Sequence, residues 1–180
     1  MEDLSLHLLD IAENSVKARA KLVSITIEES KKKDLLSITI SDDGEGMNEE
    51  TKAKALDPFF STKKERRIGL GLSLLKEAAL TANGHFFLES EPNKGTKVMA
   101  TFQASHIDTK PLGDIPQTLI TLIIGSPGLD LFYKHITDET EYVLDTKEIK
   151  SQLNGIPINS PEVLNIIKKN INEGLAKLRR

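Results

Sequence analysis

With 180 residues, 38% hydrophobic and 28% charged, the chain is long and apolar enough to bury one core, or one core with a small appendage, without a disulfide or metal staple. Its 24 basic and 27 acidic residues give a net charge of −3, which argues against a protein built to coat nucleic acid or an anionic membrane. The absence of cysteine excludes disulfides, thiolate zinc sites, iron–sulfur clusters and cysteine nucleophiles; His7, His85, His106 and His135 are scattered without metal-ligand spacing.

The N-terminus lacks the basic start and apolar run of a signal peptide, and the longest apolar stretch, 119–124, is far short of the ~20 residues of a membrane helix. A cytoplasmic location without membrane contact is the expectation. Residues 4–18 are predicted to form a helix: Leu8, Leu9, Ile11, Ala12 and Val16 share a broad face, and Asp3 is placed to cap it. Residues 22–28 and 35–41 alternate apolar with small polar residues and read as strands joined at the lysine-rich turn 29–34, a solvated hairpin tip. A short helix capped by Asn48 and running through Leu56 follows the loop SDDGEGM.

Residues 57–68 lack periodicity, carry Lys63, Lys64, Arg66 and Arg67, and read as a loop. A helix over 69–82 opens on glycines and ends before Asn83-Gly84. Strands over 85–90 and 96–103 flank the turn EPNKG. This order, with its hairpin connections, specifies an α+β fold rather than a doubly wound one. We expect a domain over 1–105, a linker over 106–115 and a small α+β C-terminal region over 116–180. In the last, Asp114 caps an apolar helix through Ile124, and 129–137 and 141–145 form a hairpin. Helices over 146–153 and 161–178 end the chain, the second capped by Ser160 with Pro161 in its first turn. Tyr133, Phe132 and the apolar 119–124 face are expected in the core.

Three segments carry chemistry. At 100° per residue His7, Asp10, Asn14 and Lys17 fall in one polar stripe of the first helix, with His7 at its outer end. In the loop after the second strand, Asp42 precedes Gly44 and Gly46; the glycines permit a tight turn near a planar ligand, and the carboxylate can accept a hydrogen bond from an exocyclic amine. In Gly69-Leu70-Gly71-Leu72, two glycines open a helix whose free amides and positive dipole suit phosphate, with Lys63 and Arg67 just upstream. This is neither a P-loop nor a Rossmann fingerprint.

Together, in this order and with Gly95-Thr96 behind them, these segments resemble the GHKL ATPase superfamily of DNA gyrase, heat-shock chaperones, histidine kinases and the repair protein MutL. The stretch from Asp10 through Asn14, Ser15 and Lys17 to Ala20 is similar to the N-box, Asp42-x-Gly44-x-Gly46 to the adenine box, Asp57-Pro58-Phe59-Phe60-Ser61-Thr62-Lys63 to the lid start of histidine kinases, and Gly69-Leu70-Gly71-Leu72-Ser73 to their second glycine box. The resemblance implies a two-layer α/β sandwich, the Bergerat or histidine-kinase ATPase fold, with a mixed, mostly antiparallel sheet and a C-terminal α+β extension. It implies ATP and Mg²⁺ as cofactors. Asn14 would hold Mg²⁺, Lys17 would contact phosphate, Asp42 would bind the adenine amine with Thr96 in support, and Gly44, Gly46 and Met47 would wall the base. Lys63, Arg67 and the amides of Gly69, Leu70, Gly71 and Leu72 would surround the phosphates.

Two departures bear on activity. Asp10 stands where hydrolysing members place Glu and histidine kinases Asn; it is a candidate general base whose carboxylate reaches about 1.5 Å less far than that of Glu. No phosphoacceptor helix precedes the N-box in this sequence, so a partner protein is the expected acceptor of any transferred phosphoryl group. Three readings follow: an ATP-binding regulator or kinase acting in trans, a nucleotide-gated clamp of the gyrase or MutL type, and a scaffold that keeps only the fold.

Overall fold

The computed structural model describes residues 3–57 and 70–179. The chain-order elements are α1 (Leu4–Lys17), β1 (Leu22–Ser30), β2 (Leu35–Asp42), α2 (Glu49–Ala55), α3 (Leu70–Thr81), β3 (Phe86–Glu91), β4 (Gly95–Gln103), α4 (Ile115–Gly125), β5 (Asp130–Thr137), β6 (Glu141–Asp145), α5 (Thr146–Gln152) and α6 (Pro161–Leu178). Most local signals are realised: Asp3 Oδ1 accepts from the Leu6 amide, Asn48 Oδ1 from the Thr51 amide and Asp114 Oδ1 from the Gln117 amide, each capping its helix. Asn83 adopts a left-handed φ of 54° just after α3, as a C-cap residue does. The serine before α6 departs from expectation. Ser160 makes no side-chain cap bond and its hydroxyl is buried without a partner.

The strands form one sheet in the order β3-β4-β2-β1-β5-β6. All pairings are antiparallel except β1 with β5, which is parallel. Register follows the alternating pattern of the sequence. Ile25 faces Ile40 and Ile27 faces Ile38 across β1–β2; Ile38 faces Ala100 and Ile40 faces Val98 across β2–β4. These side chains are buried, while their strand neighbours Ser24, Thr26, Ser37, Thr39 and Ser41 are only half-buried on the other face. A one-residue slip would turn the isoleucines outward, so burial fixes the register.

The strands beyond the 106–115 segment join this same sheet, with Tyr133 of β5 opposite Ile25 of β1. Tyr133 is fully buried, whereas Phe132 beside it points to the half-buried face. A polar chain ties β5 to β1 at the end where β1 finishes: the Tyr133 hydroxyl lies 2.8 Å from His135 Nδ1, and His135 Nε2 lies 2.7 Å from Glu29 Oε1. That contact with His135 holds the Glu29 carboxyl below its usual range. Asp138 adds a second tie, accepting from Ser30 Oγ and from the Lys31 and Lys32 amides. The lysines of this hairpin tip are exposed, as expected.

Helix α1 lies between α3 and α4, and this changes which of its residues are covered. The predicted apolar residues Leu9 and Val16 are half-buried, while Leu4, Ser5, His7, Leu8, Ile11, Ala12 and Ser15 are buried. His7, expected at the outer end of the polar stripe, is 1% exposed. A helix flanked on two sides buries a wider arc than the stripe that a single interface would cover.

Candidate functional site

A cavity of about 770 Å³ opens where α1 meets the end of β2 and the turn before α2. Its lining includes Asn14, Lys17, Arg19, Asp42, Glu45, Gly46, Met47, Thr51, Leu72 and Thr96, over an apolar floor of Ile11, Ile40 and Val98. The volume suits a drug-sized or nucleotide-sized ligand, and an apolar floor with a few fixed polar groups is the usual build of such a site.

The acidic end is the most tightly specified part. Asp42 Oδ2 accepts from Ser15 Oγ at 2.6 Å, and Asp42 Oδ1 accepts from the Gly44 amide at 2.9 Å. Both oxygens are thus oriented, one by the helix and one by the glycine turn. Thr96 sits directly opposite Asp42 in the β2–β4 register. Its hydroxyl is 2.9 Å from Ser90 Oγ, which also accepts from the Met47 amide at 2.8 Å. Ser90 therefore joins β3, β4 and the turn behind the cavity.

Two glycines here are dictated by space as well as conformation. Gly46 has φ +65° and Gly95 has φ +88°; an added Cβ would collide with the Glu91 carbonyl at the first and with the Asp42 carbonyl at the second. Gly44 stands behind Asp42, facing the Ala18 carbonyl, and does not line the cavity. Asp43 turns away and braces the chain: it accepts from the Leu22 and Lys21 amides, and these bonds, that of Leu22 foremost, hold its carboxyl below the usual carboxylate range.

The other end of the cavity has Asn14 and Lys17 on α1 and Leu72 in the first turn of α3. Asp10 and Gly71 meet each other beside this end rather than lining it; an added Cβ on Gly71 would collide with the Asp10 carboxylate, and Asp10 Oδ2 is buried without a partner. Leu70 begins α3. Lys63, Arg67 and Gly69 lie outside the described residues. The sequence pattern singled out Asn14, Lys17, Asp42, Gly46, Met47, Leu72 and Thr96, and the fold brings them around one cavity. It gave no role to Ser15, which stands only as part of the N-box-like stretch, or to Ser90, whose only signal is a small hydroxyl at an inward position of a strand.

A sheet covered by helices, with a nucleotide-sized cleft at their junction and an oriented carboxylate at one end of it, defines an α+β sandwich with a candidate ligand site. Residues 2–106 match the histidine kinase-, DNA gyrase B- and HSP90-like ATPase family, and the chain belongs to that family. Its relatives include the heme sensor protein HssS of Staphylococcus saprophyticus, 34% identical over 46% of this chain and 18% of that protein. Sporulation kinase D of Bacillus subtilis is 32% identical over 54% of this chain and 19% of its own length. Sporulation kinase C of the same organism is 33% identical over 49% of this chain and 20% of its own. The chain thus spans about a fifth of the length of these relatives. The crystal structure of the N-terminal domain of a DNA repair protein shares the fold, with a TM-score of 0.53 and 18% identity over 96% of this chain and 56% of that one. Among the described residues no helix is long and apolar enough to cross a membrane.

Proposed function

We propose that the cavity binds ATP with Mg²⁺ and that the chain is a nucleotide-dependent regulator or kinase acting in trans on a partner protein. The observation that carries this reading is the Asp42 carboxylate, held at both oxygens by Ser15 and Gly44 at the acidic end of the cavity. A carboxylate so fixed is an acceptor for an exocyclic amine such as that of adenine, and Thr96, Gly46 and Met47 surround the same end.

The phosphates would then extend toward Asn14, Lys17 and the first turn of α3, where helix amides lack intrahelical acceptors. Asn14 would hold the metal. One carboxamide oxygen, with phosphate oxygens and waters completing the shell, fits an ion that dehydrates reluctantly. Bound Mg²⁺ would supply charge neutralisation along the phosphates. Lys17, exposed at the rim, would add a mobile ammonium to the phosphate oxygens.

Asp10 supports transfer or regulated binding over fast hydrolysis. Its Oδ2 is enclosed against Gly71, and the residue does not line the cavity. A base must reach the water it activates within hydrogen-bond distance. Incubation with γ-labelled ATP, alone and with candidate partner proteins, separates the readings. Label on a partner and little free phosphate is the expected result; multiple-turnover phosphate release abolished by Asp10→Asn would replace it with the ATPase-clamp reading.

A further inference from the structure

Helix α1 ends in a cap of the kind that usually carries glycine. The Arg19 amide donates to the Val16 carbonyl at 3.0 Å and the Ala20 amide to the Ser15 carbonyl at 3.1 Å, the paired bonds of a Schellman motif. Its left-handed position is filled by Arg19, with φ 60°. An L side chain is disfavoured there because its Cβ crowds the backbone, a penalty that glycine does not carry. A residue held against its local preference points to function when it stands at a site. Arg19 lines the cavity.

It stands at the acidic end. The Ala18 carbonyl accepts from the Glu45 amide at 2.8 Å, so the end of α1 is stitched to the turn that follows Asp42. Beyond this backbone bond, Arg19 Nε lies 3.5 Å from Glu45 Oε1. The two side chains are 85% and 58% exposed, so the ion pair adds little to the stability of the fold. Neither the cap nor the ion pair accounts for an arginine at this position.

The lining of the cavity does. Asp42 takes a base by its edge, through the amine, and leaves the flat faces of the ring to other groups. Ile40, Val98 and Met47 offer apolar cover, but among the described residues that line the cavity none is aromatic. The Arg19 guanidinium is a flat cation, weakly hydrated and suited to stack on a π face. Lys17, which also lines the cavity, ends in a compact ammonium and lies toward the other end. We infer that Arg19 stacks on the adenine ring of the bound nucleotide from the solvent side, with Glu45 orienting its guanidinium. The inference rests on the reading of the cavity given above. A ring laid against the pair removes it from water, where the attraction of a cation for a π face strengthens.

Calorimetry on the full chain tests this, with Mg²⁺·ATP and adenosine as ligands and with wild type, Arg19→Lys and Arg19→Gly as proteins. Lysine keeps the charge and loses the plane; glycine also relieves the left-handed backbone. We expect both substitutions to weaken ATP and adenosine by the same factor, about fivefold, while Arg19→Gly melts about 2 °C above wild type. Affinity lost as stability is gained separates a ligand contact from a structural cap. Unchanged affinity in both variants overturns the inference. So does a loss confined to ATP, or one that lysine restores, since Arg19 would then act as a point charge on phosphate. A loss accompanied by a lower melting temperature for Arg19→Gly overturns it too, because the arginine would then serve the fold. Wild type that binds neither ligand sinks the reading of the cavity and the inference with it; wild type that binds both, with variants that bind equally well, sinks the inference alone.

Discussion

At the scale of single residues, the site depends on pairs that sequence spacing does not connect. Asp42 and the glycines after it are legible as a turn, but the serine that fixes Asp42 comes from 27 positions earlier on α1. Ser90 likewise bonds three parts of the cavity wall and looks, in sequence, like any strand serine. His7 was legible only as a polar residue on a helix face; its burial follows from α1 being covered from two sides. That burial has a measurable consequence. His7 has a folded pKa near 4 against an ordinary value of 6.5, so the unfolded chain binds the extra proton between these values and stability falls as pH drops through that window. The stability of His7 origin is complete above pH 6.5 and lost by about pH 4. Denaturant melts across this range should show wild type losing on the order of 2–3 kcal/mol that His7→Leu retains.

At the scale of elements, boundaries marked by caps and turn residues were read directly from sequence, since Asp3, Asn48, Asp114 and Asn83 act locally. Ser160 had the same local signature, and its hydroxyl is nevertheless buried and unpaired; the first turn of α6 relies on the Leu164 amide donating to the Ser160 carbonyl. Ser160→Ala should therefore change stability by less than about 0.5 kcal/mol, where a working serine cap would cost about 1 kcal/mol. Gly174 presents the opposite case. In a helix interior alanine is favoured over glycine by up to about 1 kcal/mol, but the Tyr142 ring occupies the place of the missing side chain and its hydroxyl donates to Asn170 Oδ1. Gly174→Ala should destabilise the protein by about 1–2 kcal/mol as the ring is displaced and its hydrogen bond lost. Equilibrium unfolding of both variants checks the pair of expectations.

At the scale of the whole molecule, composition and strand order gave an α+β sandwich, and the isoleucine alternation gave the faces of β1 and β2. The parallel pairing of β1 with β5 was not legible, because it joins segments about a hundred residues apart and neither strand pattern names its neighbour. It has a functional consequence: the C-terminal strands share a core with the strands that floor the cavity, through Ile25 beside Tyr133 and Val23 beside Leu131. Nucleotide should then stabilise both halves together. At a hundredfold excess over its dissociation constant ATP should add about 2.7 kcal/mol, and amides of β5 should gain protection along with those of β2. Protection confined to β2 and β4 would mean that the two halves open separately.

The central claim is that the cleft between α1 and the end of β2 is an ATP site built on Asp42 and Asn14. Titration calorimetry of Mg²⁺·ATP into wild type, Asp42→Asn and Asn14→Ala tests it most directly. Replacing the Asp42 carboxylate, which presents only acceptors, with an amide that turns a donor toward the adenine amine should cost at least about tenfold in affinity and should weaken adenosine equally. Asn14→Ala should weaken ATP only when Mg²⁺ is present. Binding by wild type that both substitutions leave untouched would contradict the account.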